Sequence, residues 1–187
     1  MSIFSQKSLN QALSELGKLL LDKKQHYEIV VIGGGGLLLL GLITRPTRDL
    51  DLVACIDKGQ FVTAKPLPQP LTQAIKEVGA AFGFAEDWIN NGPWQLYEMG
   101  LPIGFQTRWH TTQYGALTVH LAGRFDQICF KLYAAVDQGT DSKHFADLKL
   151  LKPSKKELEE AEKWCKTHDV SECFADLMLG IKAELGG

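Results

Sequence analysis

The feature that most constrains this chain is a run of four glycines, Gly33 to Gly36. The preceding segment, Glu28 to Ile32, is rich in β-branched residues, which is typical of a buried strand that ends in a turn. Glycine permits positive φ and lets another group come close to the backbone. A helix that begins after such a turn presents backbone N–H groups and a positive dipole end, and both favour an anion. We therefore predict a strand, a glycine turn that binds an anion, and a helix from Leu37 to Ile43.

The spacing of the glycines does not fit a dinucleotide-binding turn, which requires the pattern G-x-G-x-x-G. Counted from Gly33 the sixth position is Leu38, and counted from Gly34 it is Leu39. The single acidic residue expected ~20 residues further on is replaced by a close pair. A tight packing turn between strand and helix, with no ligand, remains an alternative for the glycines alone.

The close acidic pair is Asp49 and Asp51, which alternate with Leu50, Leu52 and Val53 in the manner of a strand. Side chains two residues apart on a strand face the same way, so we expect both carboxylates on one face and the leucines in the core. Two neighbouring carboxylates raise one pKa unless a cation lies between them. Magnesium is typically held by one or two carboxylates together with substrate phosphates. The alternative is a solvated edge strand with an acidic outer face.

Taken together, the strand, glycine turn, short helix, Arg-x-Thr and Asp-x-Asp resemble the nucleotidyltransferase fold. The chain most resembles small bacterial members related to the nucleotidyltransferase toxins of abortive-infection (toxin–antitoxin) systems. The resemblance implies metal-dependent transfer of a nucleoside monophosphate from a nucleoside triphosphate to a hydroxyl of RNA, a protein or a small molecule. It also implies that Asp49 and Asp51 bind Mg²⁺ or Mn²⁺ and act in catalysis. The residues implied to grip the triphosphate are Gly33, Gly34, Gly35, Arg45 and Thr47.

Two further residues are assigned through the same resemblance. The toxin-related families carry a lysine on a helix and an Asp-Leu pair downstream, and Lys131 and Asp147-Leu148 match that layout. Lys131 is then implied to contact the triphosphate, and Asp147 to position the acceptor or to orient Lys131. A lysine whose stem lies along the protein surface is the alternative for Lys131. The tripeptide Trp88-Ile89-Asn90 also resembles a Trp-Leu-Asn element of the related family.

One departure from the family pattern concerns a third carboxylate. Gly115 to Ala122 alternates as a half-buried strand, and many nucleotidyltransferases place an acidic ligand and general base on the equivalent strand. The candidate positions here are Thr118 and His120. His120 is a candidate for the base, although a histidine on a strand face is commonly structural. The departure motivates an alternative function: an inactive nucleotide-binding or partner-binding member of the fold, or a toxin or accessory component with a cognate antitoxin.

Composition bounds the remaining classes. The chain has 187 residues, 45% of them apolar, with a formal charge of -2 and no overall basic bias that would indicate a nucleic-acid binder. Its four cysteines show no spacing typical of disulfide frameworks or zinc sites. No signal peptide is evident, and the most apolar window, Ile29 to Thr44, is shorter than the ~20 residues of a membrane span. We expect a cytoplasmic protein with no membrane partner.

The predicted fold is a mixed α/β nucleotidyltransferase core with a small mixed sheet, flanking helices and a C-terminal helical cap. We place the core, including an N-terminal helix, at residues 1–125 and a helical region packed on it at 126–187. Asp57 to Pro70, which holds three prolines, is predicted to be an irregular loop. Ser154 and Glu157 are predicted to form a capping box at the start of a helix.

Overall fold

A computed structural model describes residues 3–186. Within this range the chain forms nine helices and six strands, a mixed α/β arrangement with a helical C-terminal end, as predicted. The helices are α1 (Gln6–Asp22), α2 (Gly33–Leu39), α3 (Gln69–Phe82), α4 (Trp94–Met99), α5 (Phe105–Arg108), α6 (Arg124–Gln138), α7 (Lys143–Leu151), α8 (Lys155–Cys165) and α9 (Glu172–Glu184). The strands are β1 (Tyr27–Ile32), β2 (Leu50–Asp57), β3 (Gln60–Thr63), β4 (Ile89–Asn90), β5 (His110–Tyr114) and β6 (Leu117–Leu121).

The six strands form one mixed, mostly antiparallel sheet in the order β3-β2-β1-β6-β5, and β4 also pairs with β2. β1 runs antiparallel to β2 and parallel to β6. Opposite β2, the register of β1 shifts between Val30 and Val31, because Leu52 pairs with Val31 while Ala54 pairs with Val30. Val53 is therefore an extra residue in β2, which is a β-bulge.

The described residues divide into two compact units. The first comprises the chain up to Leu101 together with Trp109–Ala122, and it contains the whole sheet. Its helix α1 is amphipathic and packs against α3 and the edge strand β5. A capping box of Ser5 and Ser8 starts α1. The apolar stripe of α1 is fully buried and consists of Leu9, Leu13, Leu16 and Leu20.

The predicted irregular loop between Asp57 and Pro70 is wrong in part, because Gln60–Thr63 pairs with β2 as a hairpin strand. The two residues of the connecting turn, Lys58 and Gly59, both have positive φ (49° and 77°). Such a turn matches the twist of the strands that it joins. Lys-Gly is a weaker sequence signal for this turn than Asn-Gly or Asp-Gly, which explains why the pattern did not reveal the hairpin.

The second unit comprises Pro102–Arg108 and the chain from Gly123 onward, and it is helical. Its central helix is α6, which packs against α7, α8 and α9. Ser154 and Glu157 form the capping box at the start of α8, as predicted. The predicted domain boundary after residue 125 stays a prediction. None of the described helices has the length and apolar character needed to cross a bilayer.

Candidate active site

The glycine run forms the first turn of α2, so the helix starts at Gly33 and not at the predicted Leu37. Ile32 is fully extended (φ -127°, ψ -174°), and Gly33 follows with a φ of 77°. That left-handed conformation redirects the chain at one residue, and no separate turn is needed. The helix also ends early, at Leu39, because Gly41 has a φ of 69°.

Each of the first three glycines makes room for a different group of the segment 45–51. A Cβ placed on Gly33 would lie 2.6 Å from Oδ2 of Asp51. A Cβ on Gly35 would lie 2.8 Å from the carbonyl oxygen of Asp49. Both separations are shorter than any normal carbon–oxygen contact, so only glycine fits. The absence of side chains at these positions therefore serves to bring the acidic segment against the turn.

The middle glycine, Gly34, faces the polar residues that precede the acidic pair. A Cβ there would lie 3.1 Å from Nη2 of Arg45 and 3.3 Å from Oγ1 of Thr47. Arg45 is half-buried, and its guanidinium cation lies directly beside the turn. The backbone carbonyl of Thr47 accepts a 2.7 Å hydrogen bond from the N–H of Phe4, and this bond anchors the segment. The structure thus brings the predicted triphosphate residues into one place.

The acidic pair differs slightly from the prediction, because β2 begins at Leu50 and Asp49 directly precedes it. Leu50 and Leu52 are fully buried, as expected, whereas both aspartates are half-buried. Asp51 lies opposite Ile32 in the β1–β2 pairing, at the end of the strand that leads into the glycine turn. The hydroxyl of Thr47 lies 3.3 Å from both the carbonyl oxygen and Oδ1 of Asp49, so it orients that carboxylate.

Sequence reasoning left Asn90 without a role, and the structure places it next to Asp51. β4 runs parallel to β2, with Asp51 opposite Asn90. The Asn90 side chain donates a 3.3 Å hydrogen bond to Oδ1 of Asp51. Trp88 holds this short strand in place, because it is fully buried and its indole N–H donates to the carbonyl of Ile75 at 2.8 Å. The only sequence signal for Asn90 was the Trp-Ile-Asn tripeptide.

His120, the candidate base, lies on β6, which the central strand β1 separates from β2. Its Nδ1 is 2.9 Å from the hydroxyl of Thr111, and its Nε2 is 3.1 Å from the carboxylate of Glu28. The ring of Trp109 stacks on the imidazole with centroids 4.1 Å apart. Both ring nitrogens therefore have protein partners, and His120 is 7% exposed. This arrangement is that of a histidine that ties strands together.

Lys131 and Asp147 lie in the second unit, where the structure brings them together. The Lys131 ammonium is 2.7 Å from Oδ2 of Asp147, and the two side chains are 3% and 0% exposed. A phosphate that reached Lys131 would have to compete with this buried ion pair. The triphosphate role of Lys131 stays a prediction.

The donor groups around the turn fit a hard divalent cation, because carboxylate and hydroxyl oxygens are the ligands that Mg²⁺ and Mn²⁺ prefer. Asp49 and Asp51 would hold it. Among residues 3–186, no cluster of three or more His, Cys, Asp or Glu side chains is arranged to hold a metal ion. Two acidic ligands would suit a cation whose other ligands come from substrate phosphates and water.

Comparison with known proteins finds a family match. The family described as "Nucleotidyltransferase of unknown function (DUF6036)" matches residues 7–144. That stretch covers well over half of the chain and includes the glycine turn, the acidic pair, Asn90 and Lys131, and it ends before Asp147. Neither the curated proteins nor the solved structures contain a match to the chain. The extent of the family match, over the same residues that build the glycine–aspartate site, shows that the chain belongs to this family of nucleotidyltransferases.

Proposed function

We propose that this nucleotidyltransferase moves a nucleoside monophosphate from a nucleoside triphosphate to an acceptor hydroxyl, using Mg²⁺ or Mn²⁺ held by Asp49 and Asp51. The observation that carries the proposal is the contact of the Asp51 carboxylate with Gly33, where a Cβ would lie only 2.6 Å from Oδ2. A triphosphate that reached the turn would meet the backbone at Gly33 and the Asp51 carboxylate together.

The chain's own residues divide the work of binding. Gly33 to Gly35 let Arg45, Thr47 and the acidic pair lie directly against the turn, because none of the three glycines carries a Cβ. The guanidinium of Arg45 lies beside Gly34, and its planar fork of donors suits phosphate oxygens. The Thr47 hydroxyl orients Asp49. A divalent cation, when bound, would neutralise part of the negative charge of the triphosphate.

In the transfer, a bond forms between the acceptor oxygen and the α-phosphorus, and the bond from that phosphorus to the pyrophosphate oxygen breaks. The acceptor hydroxyl releases its proton to solvent water, and pyrophosphate leaves. In this proposal, Arg45 holds the charge that accumulates on the phosphate oxygens.

The test is label transfer by the purified full chain. It is incubated with Mg²⁺ and each α-labelled nucleoside triphosphate, with pooled RNA and pooled protein as acceptors. We expect labelled acceptor and released pyrophosphate, and loss of both in Asp51→Asn. The matched control is Asp57→Asn, the same change at the exposed far end of β2, which should transfer normally. Equal transfer by Asp51→Asn and Asp57→Asn would contradict the assigned site.

A second candidate function is nucleotide binding without turnover. It is favoured by β6, where the positions at which the resemblance places a third carboxylate are Thr118 and His120. Calorimetry separates the two functions. Binding of a nucleoside triphosphate with Mg²⁺, together with no transfer to any acceptor of the pools, would support this second function over the first.

A further inference from the structure

Asn90 occupies the position beside Asp51 on the neighbouring strand. In the β2–β4 pairing, Leu50 lies opposite Ile89 and Asp51 opposite Asn90. Residues directly opposite each other on adjacent strands project to the same face of the sheet, and neighbouring strands lie about 4.8 Å apart. A side chain at this position is therefore a neighbour of the Asp51 carboxylate, whatever its chemistry.

The orientation of the Asn90 amide is fixed by a second contact. Its Oδ1 accepts a 2.8 Å hydrogen bond from the N–H of Gly92. Because an N–H can donate only to the oxygen end of the amide, the NH₂ end faces Asp51, where Nδ2 is 3.3 Å from Oδ1. The other oxygen of Asp51, Oδ2, lies against Gly33. The two carboxylate oxygens thus have different surroundings: one takes the amide, and the other faces the glycine turn.

The charge balance of the site follows from this amide. Asp49 and Asp51 carry two negative charges, which one divalent cation neutralises. A carboxylate in place of Asn90 would add a third charge beside them, and like charges at this separation repel unless more cation is bound. We propose that Asn90 is a positioning residue that fixes the Asp51 carboxylate and limits the protein itself to one bound divalent cation. This inference rests on the proposed function, because it assumes that the acidic pair binds a metal ion.

The experiment counts Mn²⁺ ions bound to the full chain without nucleotide, using the electron paramagnetic resonance signal of free Mn²⁺. Wild type is compared with Asn90→Asp, Asn90→Ala and Asn10→Asp. Asn10→Asp is the control, because it adds the same charge on α1. Oδ1 of Asn10 accepts a 2.6 Å hydrogen bond from the Tyr114 hydroxyl, and an aspartate oxygen can accept the same bond. A second readout is the rise in melting temperature that Mn²⁺ produces in each variant.

We expect one Mn²⁺ per wild-type chain. Asn90→Asp should bind a second ion, because the added carboxylate supplies another charged oxygen ligand. It should also show a larger Mn²⁺-induced rise in melting temperature, since the cation relieves repulsion between the carboxylates. Asn90→Ala should bind more weakly than wild type, and Asn10→Asp should bind like wild type.

Two results would overturn the inference while leaving the proposed function in place. The first is two bound Mn²⁺ ions per wild-type chain. The second is Mn²⁺ binding by Asn90→Asp that equals Mn²⁺ binding by Asn10→Asp. No Mn²⁺ bound to wild type would remove both the inference and the proposed metal role of the acidic pair.

Discussion

Replacement of Gly33 by alanine tests the central contact of the site. Gly33 and Gly59 have the same φ of 77°. A residue with a Cβ in this left-handed conformation costs roughly 1–2 kcal/mol. That cost applies to both Gly33→Ala and Gly59→Ala. Around Gly59, however, an added Cβ meets nothing within 4 Å, whereas at Gly33 it lies 2.6 Å from Oδ2 of Asp51.

The difference between the two variants therefore isolates the carboxylate contact. Overpacking at a close contact costs about 1–3 kcal/mol, so Gly33→Ala should lose roughly 2–5 kcal/mol in total. For a chain of this size, 1 kcal/mol corresponds to about 2–4 °C in melting temperature. We expect Gly59→Ala to melt roughly 2–8 °C below wild type, and Gly33→Ala to melt several degrees lower still.

The assay is thermal unfolding with and without a nucleoside triphosphate and Mg²⁺. A ligand at 100 times its Kd stabilises the folded state by about 2.7 kcal/mol. Gly59→Ala should keep this increment in full, because its turn lies in the β2–β3 hairpin. Gly33→Ala should lose most of it, because its methyl group displaces the Asp51 carboxylate. If the two variants melt together and respond equally to ligand, the argument from the Gly33–Asp51 contact is refuted.

Two further predictions concern the second unit and the thiols. Lys131→Met removes the ammonium group that pairs with the buried Asp147, so it should lower the free energy of unfolding by about 3–5 kcal/mol. In urea unfolding, the double variant Lys131→Met/Asp147→Leu should recover most of that loss. No recovery in the double variant would count against the buried ion pair. For the thiols, one of the four free cysteines, Cys173, is exposed. A thiol reagent should label it rapidly in the folded protein, and reaction of all four at one rate would contradict the packing. The slow thiols are those of Cys55, Cys129 and Cys165, where burial raises the pKa, to about 11 at Cys55 and about 12 at Cys129.

Much of the candidate site could be predicted because its parts are close in the sequence. Only the short helix α2 and a few residues separate the glycine run from the segment with Arg45, Thr47 and the two aspartates. The antiparallel pairing of β1 and β2 then brings this segment next to the glycine turn. Local patterns of this kind are visible in a single sequence. The capping box of Ser154 and Glu157 was predictable for the same reason.

The parts that were not predicted depend on distant pairing or on a single torsion. Asn90 is 39 residues from Asp51 in the sequence, and only the pairing of β4 with β2 reveals that they touch. The early start of α2 depends on the left-handed conformation of Gly33. Four successive glycines permit that conformation at any of them, so the sequence could not say where the helix begins.

The bulge at Val53 has a consequence for how this segment can vary in length. One surplus residue there lets Asp51 keep its place opposite Ile32 while the remainder of β2 pairs with β1 and β3 in its own register. Alternate residues of a strand project to opposite faces of the sheet. Loss of a single residue would therefore turn either the Asp51 side chain or the side chains of β2 beyond the bulge to the opposite face. Insertions and deletions should therefore be excluded between Asp51 and Ala54.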